Sequence, residues 1–245
     1  MKERRWPWLV SGLALVLASI SGAAATYLWW LPCRGRMLVG TDFGPRYSDA
    51  LLGEECIDRM NEGTPFPLPT EAALTAPGLL LLSTVTMILV AVAWLVPVAA
   101  LPVSGTARWG MALPGLTVLA VAVLGVGTTY GTSVESLGYL LDSLLSVFAL
   151  VGLGVVLVAQ VPGQVRFGVV TLSVSALGFA GMVADYMLMI RWSDADWDSP
   201  PGSGYLTAAL LLLCGIAVLI MTALSPRPAS AATAAQQVQQ VDPVT

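Results

Sequence analysis

Histidine is absent from all 245 residues, and lysine occurs once, at Lys2. The first absence removes Ser-His-Asp and Cys-His catalysis, histidine-ligated zinc or haem, and any imidazole proton relay. The second removes a buried Schiff-base lysine and a P-loop lysine. Charge is scarce as well. Asp, Glu, Lys and Arg make up 11% of the chain, against roughly a quarter in a soluble domain. So thin a polar coat cannot cover a globule, and 56% of the residues are hydrophobic, with a mean hydropathy of +0.80. Lipid is therefore the expected solvent for most of the surface. Arginine in place of lysine, with abundant Ala, Val, Leu and Gly, points to a GC-rich, bacterial genome.

What is present is a series of long apolar runs. A hydrocarbon core about 30 Å thick takes roughly 20 helical residues to cross. Six stretches meet that length: Trp6–Leu31, Gly78–Leu101, Gly110–Tyr130, Leu137–Val161, Phe167–Ile190 and Tyr205–Leu224. The expected fold class is an all-α membrane protein, a polytopic bundle of about six transmembrane helices. Its divisions are a basic segment with the first span (1–31), an extracytoplasmic loop (32–77), a five-helix bundle (78–224) and a disordered tail (225–245).

Tryptophan prefers the headgroup layer, and all but Trp94 fall at or just beyond the ends of these runs. Trp6, Trp8 and Trp109 mark one set of ends, and Trp29, Trp30, Trp192 and Trp197 the other. Lys2, Arg4, Arg5, Arg108, Arg166 and Arg227 collect on the first side. Positive charge beside spans stays in the cytoplasm, so both termini are expected inside a plasma membrane. Arg34, Arg36, Arg46 and Arg59 oppose this, but they share a long loop with seven acids. The first span also reads, as an alternative, as a signal peptide with Gly22–Ala25 near its cleavage point. Its apolar run continues to Leu31, which fits an uncleaved anchor better.

The long outer loop carries Cys33 and Cys56. Outside the cytoplasm two such cysteines are expected to form a disulfide. A redox-active pair is the alternative, although those usually come as Cys-x-x-Cys. Cys214, among leucines, reads as a packing residue. Prolines 65, 67 and 69 force an extended stretch at the end of the loop. Basic and acidic residues interleave before it, as they would in a small folded cap or in a solvated connector.

Asp142 and Asp185 are the acids placed well within spans, each roughly 8 Å below the outer boundary at 1.5 Å per residue. An ionisable group at such depth usually faces protein or water. Glu135, Asp142 and Ser146 share one side of the fourth span. Ser175, Gly178, Gly181 and Asp185 share one side of the fifth, beside small residues that permit close packing. One reading is a proton- or cation-responsive carboxylate pair. The other is that each acid pairs with Arg191, Arg34 or Arg36, or caps a neighbouring helix end. Pro97 and Pro114 each remove a helical hydrogen bond within a span, which broken transporter helices share with ordinary membrane helices.

Two functions of different classes fit. The first is a non-enzymatic membrane protein whose outer cap engages a protein partner or ligand. The second is a small transporter or proton-coupled permease using Asp142 and Asp185. An enzyme would need outer carboxylates, such as Asp194, Asp196 and Asp198, to hold a divalent ion, and their spacing lacks the glycine and distal glutamate of an EF-hand loop. No cofactor, bound metal, catalytic residue or nucleic-acid partner is expected.

Overall fold

The computed structural model describes residues 4–33, 39–41, 44–46, 53–62, 77–103, 105–129, 135–189 and 201–225. Eight α-helices dominate them: α1 (Trp6–Trp29), α2 (Glu54–Glu62), α3 (Pro77–Ala100), α4 (Thr106–Thr129), α5 (Glu135–Val158), α6 (Gln164–Leu177), α7 (Phe179–Met189) and α8 (Tyr205–Leu224). Within the segment between α1 and α2, β1 (Val39–Thr41) and β2 (Gly44–Arg46) form a short antiparallel ribbon in which Val39 pairs with Arg46.

Among the described residues four helices are long and apolar enough to cross a membrane: α1, α3 from Gly78, α4 as far as Leu124, and α8. The pair α6 and α7 meets the same test when taken together, which makes up to five. Helix α5 has 24 residues, of which Ser143–Val158 form a described apolar helix shorter than a span. The fifth apolar run departs from expectation. It is two helices, bent by 73° between Leu177 and Phe179. Gly178 takes an extended ψ of −173° there, and its N–H bonds back to Ser175 while its carbonyl accepts from Gly181 and Met182. The sharp return brings Gly181 against the Ala176 carbonyl, where an added Cβ would sit 2.0 Å from the oxygen. Hydropathy averages over such a break because both limbs are apolar.

Contacts place the ends of the bundle. Arg5, ahead of α1, donates to the carbonyl of Ser225, after α8, so those ends lie together. At the other end, Trp30 Nε1 donates to the Ser203 carbonyl at 2.8 Å. Helix α3 runs antiparallel to α1, since Ser11 donates to Ala93 O and Ser21 to Leu82 O. Ser19 makes the matching bond to Ala208 O on α8. In lipid no hydrophobic effect drives helices together, so serine–carbonyl bonds and close approaches take its place. Gly12 of α1 meets Gly215 of α8 in this way, with the Gly215 oxygen 3.1 Å from where a Cβ would stand.

Neighbouring helices close a ring in the order α1, α3, α4, α5, α6 and α8, back to α1, with α6 also touching α3 across it. Phe167 of α6 sits edge-on to Trp8 at 4.9 Å and to Trp94 at 5.5 Å, tying three helices together. Trp94 donates to Met111 O at 2.6 Å, in the turn before Pro114. Pro114 itself packs on Gly152 of α5, so closely that a Cβ there would lie 2.3 Å from the ring. The one tryptophan read inside a span is thus fully buried protein core.

Candidate functional site

At the end of the bundle away from the termini, Cys33 and Cys56 are joined by a disulfide, with Cα atoms 4.9 Å apart. Cys33 ends a 3₁₀ turn (Leu31–Cys33) that continues from α1, and Cys56 lies in the first turn of α2. Helix α2 forms for local reasons. Glu54 and Glu55 occupy its first turn and Arg59 its last, each sign opposite to the end of the helix dipole it faces. Cys56 and Met60, four residues apart, fall on one face and are buried. The Arg59 guanidinium lies 4.8 Å from the Trp29 ring, a second attachment to α1. The outward face carries Glu54, Glu55, Ile57, Asp58 and Asn61. Trp29 and Trp30, expected among headgroups, are instead buried at the end of α1 on which this element docks.

Asp185 lies at this end too, on α7, and is only 1% exposed. Its Oδ2 accepts from the N–H of Gly204, and the Leu206 N–H also approaches the carboxylate. Gly204 is the N-cap of α8 with φ 105°, a conformation that favours glycine, so the cap has no side-chain oxygen of its own. Asp185 supplies that oxygen from another helix, and its charge suits the positive end of the α8 dipole. Oδ1 is buried without a hydrogen bond. Thr207, in the first turn of α8, donates to the Ala176 carbonyl at 3.1 Å, beside the α6–α7 break. Asp185 therefore fastens the second limb of the broken helix to the start of α8.

The other sequence-predicted residues fall differently. Glu135 begins α5 and Asp142 lies two turns along it. An encounter between Asp142 and Asp185 rests on side-chain positions outside the described residues. Arg191, Arg34 and Arg36 lie outside them entirely, as do Asp194, Asp196 and Asp198. Ser146, placed on the face of Asp142, does reach α6, with its hydroxyl 3.5 Å from the Ser175 carbonyl. Among the described residues no group of three or more His, Cys, Asp or Glu side chains gathers to hold a metal. Cys214 is a free, buried thiol on α8.

Comparison with protein-family models, characterised proteins and solved structures finds no match. The functional reading rests on these residues alone.

Sequence reasoning missed one residue of consequence, Arg166. Read as a loop charge, it lies on the first turn of α6 and is 8% exposed. It donates to the Met221 carbonyl at 3.1 Å and to the Ser225 hydroxyl, and its guanidinium lies 5.4 Å from the Trp8 ring. The available signal was its neighbour Phe167, an aromatic beside a charge at the start of an apolar run.

Proposed function

We propose that this chain is a non-enzymatic, multi-pass protein of the plasma membrane. In this reading its α2 cap is a surface for an extracytoplasmic protein or ligand. The observation that carries it is the mounting of α2. A disulfide to the 3₁₀ turn and an arginine–tryptophan stack on α1 fix one face of α2, leaving an acidic face with Ile57 at its centre turned outward. A connector needs no such double attachment.

The reading takes six spans, with α5 as the fourth and the bent pair α6–α7 as the fifth. At about 36 Å, the 24 residues of α5 are long enough. Both termini are placed in the cytoplasm. Supporting this, Arg5, Arg108 and Arg166 lie at the end of the bundle that carries the termini, and Glu54, Glu55 and Asp58 at the other.

The test is site-specific photo-crosslinking in intact cells from position 57, with position 213, on the exposed lipid-facing side of α8, as control. A discrete adduct from position 57 alone, lost on combining Glu54→Lys, Glu55→Lys and Asp58→Lys, supports the reading. Adducts that ignore the charge reversal sink it.

A second reading, transport through the bundle, is favoured by one observation. Asp185 sits buried on the second limb of a discontinuous helix with one oxygen unsatisfied, an arrangement that transporters use for coupling ions. Uptake that persists in Asp185→Asn at normal expression removes it.

A further inference from the structure

At the end of the bundle that carries the termini, the α5–α6 turn and the last turn of α8 enclose an open groove of about 890 Å³. Its walls are Leu157, Val165 and Leu224, and its polar lining includes Gln160, Gln164 and Arg166. We propose that this groove holds the headgroup of an anionic phospholipid. Arg166 and the first amides of α6 meet the phosphate, and the acyl chains lie against Leu157, Val165 and Leu224.

Charge is the first argument. No Asp or Glu lines the groove, and Arg166 is held in it by its bonds to Met221 and Ser225. A second guanidinium, that of Arg5, reaches the groove's edge at the Ser225 carbonyl. Backbone donors add to this field. Helix α6 begins at Gly163, whose φ of 87° and lack of a side chain leave no local cap. The N–H groups of Gln164 and Val165 therefore precede the first intrahelical bond, which Phe167 makes to Gly163. A guanidinium and a helix N-terminus both suit a phosphate, the first through charge-assisted bonds and the second through its free N–H groups and dipole.

The walls decide between sources of that phosphate. Leu157, Val165 and Leu224 are exposed, and Val158 beside them is 87% exposed. A soluble phosphate ester has no use for such walls, but two acyl chains cover them. The level is right as well, because Trp6 and Trp109 are exposed at this same end, where interfacial tryptophans lie. Membrane embedding is assumed here; the cap's partner is not, so the two proposals fail separately.

The test uses the full chain in nonionic detergent, titrated with phosphatidylglycerol and read by native mass spectrometry. Parallel titrations use phosphatidylcholine and glycerol 1-phosphate. Phosphatidylglycerol should bind as a discrete adduct, phosphatidylcholine more weakly, and glycerol 1-phosphate should not compete. Arg166→Ala removes a tie between α6 and α8 and can unfold the protein, so Gln164→Glu is the deciding variant. An acid at the first position of a helix favours the helix but repels a phosphate. Affinity for phosphatidylglycerol should fall by about tenfold, as one repulsive charge across a few ångströms implies. Unchanged affinity in Gln164→Glu, equal binding of the two lipids, or full competition by glycerol 1-phosphate overturns the proposal.

Discussion

Replacing Asp185 with Asn and with Ala separates two properties of one carboxylate. Asn keeps an oxygen for the Gly204 N–H and loses the charge, whereas Ala loses both and leaves a buried donor unpaired. Loss of a helix cap costs about 1–2 kcal/mol. Thermal unfolding in detergent should therefore show a clear drop in Tm for Asp185→Ala and a drop of less than half that size for Asp185→Asn. Equal losses would mean that charge, not capping, is what α8 requires. The burial of Asp185 was readable from its place in an apolar run, since a lone acid there must meet protein or water. Capping of a neighbouring helix end was one of its two readings, but which end was not readable. The cap it fills exists because Gly204 is a glycine at positive φ, nineteen residues away in sequence, and nothing in the spacing of two residues on different helices announces their contact.

Helix boundaries were the legible part of the element scale. Runs predicted at Trp6–Leu31, Gly78–Leu101 and Tyr205–Leu224 appear as α1, α3 and α8 within two residues. Length and apolarity set them, because a backbone in lipid must bond to itself. The break at Gly178 and the docking of α2 were hidden, for opposite reasons. A bend between two apolar limbs changes no average, and a polar nine-residue helix is stable only once Cys56 finds Cys33 and Arg59 finds Trp29. Gly181→Ala tests the bend. The new methyl meets a backbone oxygen that has no flexible end to yield, so the limbs must separate. A loss of about 1–3 kcal/mol, typical of overpacking, should appear as a lower Tm. The end of α5 offers a change of opposite sign. Gln160 has φ 48°, with Gln160 N bonded to Leu157 O and Val161 N to Val156 O, the pattern of a Schellman turn. Glycine takes that conformation freely, so Gln160→Gly should raise stability by up to about 1 kcal/mol. A fall in Tm would show that the glutamine side chain contributes more than its backbone costs.

For the molecule as a whole, charge and disulfide divide the two ends, and orientation is the property to test. A cysteine introduced at Asn61 should react with a membrane-impermeant maleimide in intact cells. One introduced at Arg108 should react only after the membrane is opened. The native cysteines do not interfere, since Cys33 and Cys56 are bonded and Cys214 is buried. The reverse pattern would invert the topology and remove the basis for the outer cap. Composition made the lipid environment legible from the outset. The order of helices around the ring was not legible, because it depends on small contacts such as Gly12 with Gly215 and Pro114 with Gly152, and many glycines in these runs offer equal opportunities on paper.

The pairing of α1 with α8 has a consequence during synthesis. Helix α1 leaves the ribosome long before α8 and rests against it, so until α8 has been made Ser19 has no Ala208 carbonyl to meet and Gly12 no Gly215. A chain that stops short of residue 205 would hold an open seam of small and hydroxyl-bearing residues in the bilayer. Such a seam is a ready mark for membrane proteases, so truncated copies should be cleared while finished ones persist.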